Sequence, residues 1–273
     1  MNKKTGIVFL VLVTVFSAAC GDKQTGNGTA ATKTKNAYPP QVQNILDEVA
    51  AHPDSGNIRL KLVYALDSIG DFTNALQNIN IILKKDSTNY RLWLNRGSIA
   101  EDAKDTLAAM ESYANALRIY RSPDAMLSLA NLYAETKNPR ALLFTSRVKS
   151  LGLGKEYDAH SAFVTGIYYA RTGKRAEALQ AFDECIANNY TYMVAYIEKG
   201  LVYFDNKQYD EALKVFEFAA TVDNLYADAY YYQARCYEMT GKKDLAVEKF
   251  HQSLSIDKTL AEAHAGLKRL GAE

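Results

Sequence analysis

Three stretches decide the fold: Gly166–Phe182 (GIYYARTGKRAEALQAF), Gly200–Phe216 (GLVYFDNKQYDEALKVF) and Ala234–Phe250 (ARCYEMTGKKDLAVEKF). Each begins 34 residues after the one before. Gly166, Gly200 and Ala234 form a small column, and Tyr169, Tyr203 and Tyr237 an aromatic one. Ala178, Ala212 and Ala246 keep the same step, as do Phe182, Phe216 and Phe250. Self-similarity at a fixed period of roughly 20–50 residues marks stacked repeats, where each unit buries its apolar face on its neighbours. Upstream, Ala75 and Ala109 are again 34 apart. Gly97 to Gly166 and Ala109 to Ala178 are both 69, two periods plus one residue. A worn unit with one insertion therefore lies between. Only five prolines occur in 273 residues, which leaves room for long helices.

The period and the columns resemble the tetratricopeptide repeat over about residues 56–271. The second unit carries Trp93, Gly97, Ala109, Tyr113 and Ala116, and the first a weaker set, Leu62, Gly70, Phe72, Ala75 and Ile79. The resemblance implies an all-α fold, a right-handed superhelical solenoid of antiparallel helix pairs. Gly or Ala at the helix crossing lets two backbones approach, and aromatics fill the space around it. Gly70, Gly173 and Gly241 stand where a left-handed residue would end a first helix. Repeats 1–2 then span 56–122, a degenerate repeat 3 spans 123–158, and repeats 4–6 span 159–260. In repeat 3, Asn138-Pro139 replaces the glycine turn, and the unit is either a hinge or a worn repeat. Residues 38–55 read as an N-terminal capping helix, with Val42, Ile45, Leu46 and Val49 at helical spacing. Residues 261–273 read as a polar C-terminal capping helix.

The N-terminus reads differently. Lys3 and Lys4 precede a ten-residue apolar run, Ile7–Phe16, too short to span a bilayer comfortably. Small residues follow, in the layout of a secretory signal. Ser17-Ala18-Ala19-Cys20 resembles the lipobox of bacterial lipoproteins, although that family usually has Leu or Val where Ser17 stands. The resemblance implies a signal peptide over 1–19 and a lipid on Cys20. Cleavage would remove two lysines and no acids, moving the formal charge from +1 to −1. Residues 20–37 lack large apolar side chains and read as a flexible tether, about 20–25 Å end to end as a coil. Gly21 is not the Asp associated with inner-membrane retention, so the resemblance implies an outer-membrane lipoprotein, on either face.

No chemistry of catalysis is legible. His52, His160, His251 and His264 make no metal-ligand spacing, and there is no phosphate loop or nucleophile elbow. The expectation is no enzyme activity, no cofactor and no metal. With 32 basic and 31 acidic residues, nothing points to nucleic acid. Cys185 and Cys236 lie a whole repeat apart, too far for a disulfide, and read as small core residues.

The family resemblance places ligands on the concave face formed by first helices. In repeats 1–2 that lining is polar: Lys61, Tyr64, Asp67, Asn95, Glu101 and Asp102. In repeat 4 it offers Phe163, Val164 and Ile167. In repeat 5 it offers Ile197, Leu201 and Phe204, and in repeat 6 Tyr231, Tyr232 and Arg235. Apolar and aromatic residues where water would otherwise stand point to a partner segment; the alternative is that the solenoid consumes the strip internally. The lysine and asparagine clamp with which some members grip a C-terminal carboxylate is not matched, since Leu60, Tyr64, Phe163 and Glu198 stand there. The expected role is a protein-protein scaffold for other envelope proteins, held to the membrane through Cys20. An adaptor for one envelope enzyme, such as a wall hydrolase or protease, is the alternative, and a glycan-binding component a third.

Overall fold

The computed structural model describes residues 38–272, which form fourteen helices and no strand. The signal peptide over 1–19, Cys20, the tether over 20–37 and Glu273 lie outside the described residues. None of the described helices is long and apolar enough to cross a membrane. The order is α1 (Pro40–Ala51), α2 (Gly56–Ser68), α3 (Phe72–Lys85), α4 (Tyr90–Asp102), α5 (Thr106–Ile119), α6 (Pro123–Glu135) and α7 (Arg140–Lys149). It continues with α8 (Lys155–Arg171), α9 (Arg175–Asn188), α10 (Met193–Asp205), α11 (Tyr209–Val222), α12 (Ala227–Met239), α13 (Lys243–Ile256) and α14 (Ala261–Leu270). From α2/α3 to α12/α13 the helices pack as six pairs, and each second helix also packs on the next first helix. α1 and α14 close the two ends.

The turn inside every pair is built alike. Gly70, Gly173 and Gly241 hold φ near +75°, at +76°, +78° and +73°. Lys104, Lys137 and Lys207 take the equivalent place at +61°, +59° and +60°. At each, the following N–H reaches back to a carbonyl five residues earlier, as Asp71 to Leu66 at 2.9 Å and Asn138 to Tyr133 at 2.7 Å. Repeat 3 therefore keeps the turn, with Lys137 in the left-handed position; Asn138-Pro139 follows it and opens α7. That corrects the expectation that Asn138-Pro139 replaces the turn. The turn positions 104, 137 and 173 step by 33 and then 36 residues. The surplus falls in the loop after α7, where Gly152 and Gly154 sit at φ +62° and +103°, and in α8, which at 17 residues is the longest helix described.

Close approach explains the small column. A Cβ on Gly200 would stand 2.2 Å from the Phe216 ring, and one on Gly166 2.6 Å from Phe182. Gly97 stands against Tyr113 in the same way, at 2.4 Å. Phe182, Phe216 and Phe250 are fully buried, each contributing about 1.5–3 kcal/mol of apolar burial. Repeat 3 lacks this lock. Thr145 holds the buried place on α7, accepting a hydrogen bond from Thr165 Oγ1 at 3.1 Å. Its aromatic neighbour Phe144 turns aside and stacks on Tyr133, ring centroids 6.0 Å apart. The core is nevertheless continuous: one apolar cluster joins Ala130 and Ala134 of α6 to Val164 and Ile167 of α8, Phe182 of α9 and Val202 of α10. Cys185 and Cys236 are free, buried and in separate clusters, and burial pushes each thiol up to about 12.

Candidate functional site

The first helices α8, α10 and α12 carry the strip read from the sequence, and neighbouring helices divide it. Val164, Ile167, Ile197 and Tyr231 are buried, so they are core and do not line an open groove as expected. The reason is the closeness of the flanking first helices. Ala130 and Ala134 let α6 close over Val164 and Ile167, while Ile197 joins Phe216 and Cys236. Tyr231 packs 5.8 Å from the Phe250 ring, and its hydroxyl accepts from Arg235 Nη1 at 3.0 Å. Phe163, Leu201, Phe204, Tyr232 and Arg235 keep part of their surface. Phe163 leans on Tyr192 at 5.1 Å, and Tyr232 stacks on Phe216 at 5.2 Å. Two exposed apolar residues complete the strip and escaped the sequence reading. Val194 shares the Ile197, Leu201 and Phe204 face of α10, and Met239 shares the Tyr232 and Arg235 face of α12.

A ladder of charges crosses the same face. Arg171 on α8 donates two hydrogen bonds to Glu135 of α6, at 2.8 and 3.1 Å, and two to Glu198 of α10, at 3.1 and 3.2 Å. Such paired forks fix geometry as well as charge. The Arg235 guanidinium lies 5.8 Å from the Phe204 centroid, joining α12 to α10. Arg269 of α14 grips Glu238 of α12 with two bonds of 2.9 Å, and those bonds hold the Glu238 carboxyl below its usual range. Between α8 and α10 a cleft of ≈ 350 Å³ opens, lined by Arg171, Arg175, Glu198, Leu201 and Asp205. The ladder had a sequence signal: opposite charges separated by about one period, as in Glu135 to Arg171 and Glu238 to Arg269.

Repeats 1–2 present a different surface. Tyr64 is exposed, and Asn95 donates to its hydroxyl at 2.6 Å, tying α4 to α2. Burial raises the Asp67 carboxyl, with the Asp102 charge adding to it. Burial also raises Glu101, although Tyr113 donates a hydrogen bond to it. This face carries the carboxylates of Asp67, Glu101 and Asp102, and no arginine ladder like that of repeats 4–6 is described along it. His160, half-buried beside Tyr192, has its pKa pushed down by burial. Among the described residues no group of three or more His, Cys, Asp or Glu is placed to hold a metal ion.

The site is thus a long face with a half-covered apolar strip, made of side chains that can pack and hydrogen-bond. The tetratricopeptide repeat model matches residues 60–125, 163–220 and 197–259. No curated protein sequence matches the chain. Among solved structures, a tetratricopeptide repeat protein from Parabacteroides merdae superposes with a TM-score of 0.71 at 16% identity, covering 84% of this chain and 91% of that one. PilW, a type IV pilus biogenesis factor, gives 0.62 at 20% identity, covering 78% of this chain and 98% of that one. Yeast Tom70 gives 0.57 at 14% identity, covering 85% of this chain and 57% of its own. At these identities the likeness is one of fold. With six left-handed turns, small residues against buried aromatics, and a family model covering more than half its length, the chain belongs to the tetratricopeptide repeat family.

Proposed function

We propose that the chain is a non-enzymatic scaffold of the bacterial cell envelope. It is anchored by lipid at Cys20 and grips a partner protein segment on the first-helix face of repeats 4–6. The observation that carries the binding reading is the strip left open there. Val194, Leu201, Phe204 and Met239 keep apolar surface beside the Arg235 guanidinium and the α8/α10 cleft. Apolar surface flanked by tyrosine and arginine is the composition of protein-binding hot spots. The ladder holds α6 to α14 in fixed register, so the strip is presented already formed, which lowers the entropic cost of binding. The anchor reading rests on Ser17-Ala18-Ala19-Cys20 after the apolar run, and the envelope location follows from it.

The test is co-recovery from membranes of cells producing the tagged full-length chain. Leu201→Ser with Phe204→Ser should abolish recovery of the partner while the far-ultraviolet dichroism stays helical. Undiminished recovery removes the strip from the account. Separately, Cys20→Ser should release the chain from the membrane fraction; retention there would contradict the anchor.

A further inference from the structure

Repeat 3 leaves an opening on the other side of the solenoid, among the second helices. Phe144, moved to the edge of the core by Thr145, forms one wall of a groove between α5 and α7. The groove has a volume of ≈ 450 Å³; Ala114 and Leu117 form the opposite wall, with Met126, Leu129 and Tyr133 of α6 as the floor. Its rims are basic. Arg118 and Arg121 line the α5 side. Arg140 and Arg147 lie one turn before and after Phe144 on the same face of α7. All four are exposed, and none makes an ion pair among the described residues. No carboxylate lines the groove. The three nearest in sequence are turned elsewhere: Glu111 lies 4.0 Å from Arg96, Asp124 accepts from the Tyr157 hydroxyl at 3.0 Å, and Glu135 accepts from Arg171 at 2.8 and 3.1 Å. In a chain of net charge +1, two unpaired arginines lining one apolar trough, with two more flanking its Phe144 wall along α7, are a local excess.

We propose that this groove is a second docking surface, and that its occupant is an acidic amphipathic helix of a partner protein. An apolar floor between two helices accepts the apolar stripe of a third, in the helix-in-groove mode. Carboxylates on the flanks of that stripe meet Arg118 and Arg121 on one side, Arg140 and Arg147 on the other. Arginine forks suit carboxylates in paired geometry. A lipid surface fits less well, because the apolar area is recessed between helices rather than displayed on a ridge. The site uses second helices of repeats 2–3, and so stands apart from the first-helix strip of repeats 4–6.

The experiment places the photo-crosslinker benzoylphenylalanine at position 114, an exposed wall residue, in the full-length chain in the producing cells. A second chain carries it at position 204 and reports the other face, so the two proposals succeed or fail separately. The expected product from position 114 is an adduct whose partner segment, mapped by mass spectrometry, has excess Asp and Glu and apolar residues at helical spacing. Arg118→Glu with Arg121→Glu should reduce that adduct about tenfold or more, because it sets like charges opposite the helix. Both substituted positions are exposed, and unchanged dichroism checks the fold. Adducts with lipid, with a basic or neutral segment, or unaffected by the charge reversal would overturn the proposal. So would no adduct at position 114 in cells where position 204 gives one.

Discussion

Repeats 3 and 5 share a turn and differ in their core. In repeat 5, Gly200 admits the ring of Phe216, which is wholly buried. In repeat 3, Thr145 fills the buried place, and half-buried Phe144 packs on the edge of the core, where a groove opens beside it. α7 has 10 residues where α3, α5, α9, α11 and α13 each have 14. The contrast separates two jobs within one motif. The left-handed turn fixes the pairing of the helices, and the aromatic against glycine fixes how tightly a pair closes. A unit can lose the second and keep its place in the stack, because its neighbours supply the core: Ala130 and Ala134 of α6 share one cluster with α8 and α10.

The largest effect should come from emptying the lock. Phe216→Ala is expected to cost about 3–5 kcal/mol in urea unfolding. Thr145→Ala should cost about 1–2 kcal/mol, the loss of two modest hydrogen bonds, one accepted from Thr165 and one donated to the Leu142 carbonyl. Equal costs would mean that the two repeats are held in the same way. Overfilling the crossing comes next. Gly200→Val pushes side-chain atoms into the Phe216 ring and should cost about 2–3 kcal/mol. Adding Phe216→Leu should make the pair less than additive, since the residues share one space; full additivity would break the claim of direct contact.

Smaller changes test what the repeats have in common. Lys104→Gly, Lys137→Gly and Lys207→Gly should each raise stability by about 1 kcal/mol, by relieving a left-handed residue of its Cβ. A gain at positions 104 and 207 without one at 137 would show that repeat 3 does not form its turn. Smallest are the charges. Glu238 titrates below its usual value of 4.5, so the stability it contributes is present above the carboxylate range and lost as pH falls through its folded pKa. Arg269→Ala should reduce that loss, with Arg235 still 3.2 Å from Glu238, at a cost near neutral pH of about 1 kcal/mol or less because the Arg269 side is solvent-screened. Glu101 has the opposite sign. Burial raises it above 4.5, so the chain gains stability as pH falls from the folded pKa toward that value. Glu101→Gln should abolish that gain in a pH series of melting temperatures.

Much of the fold was legible because its determinants are columns. A glycine that must admit a ring, and a phenylalanine that must fill the gap, recur at the period and need no coordinates to find. The turn was half legible: Gly70, Gly173 and Gly241 announce it, while lysine at 104, 137 and 207 carries no such mark. The strip was over-read for a physical reason. Counting faces on an isolated helix cannot show how near the next helix stands, and small alanines on α6 bring it close enough to bury Val164 and Ile167. Val194 and Met239 were missed because each lies one turn beyond the columns that define its helix. The α5/α7 groove was invisible, since it depends on Phe144 sitting at the edge of the core rather than in the buried place Thr145 takes.

A crosslinking comparison in intact cells tests whether the first-helix strip of repeats 4–6 is the partner face. Benzoylphenylalanine at position 201 lies beside the cleft, and at position 180 on the exposed side of α9. One dominant protein adduct is expected from position 201, absent from position 180 and lost when Phe204→Ser is added. Equal adducts from both positions, or none from position 201, would contradict it.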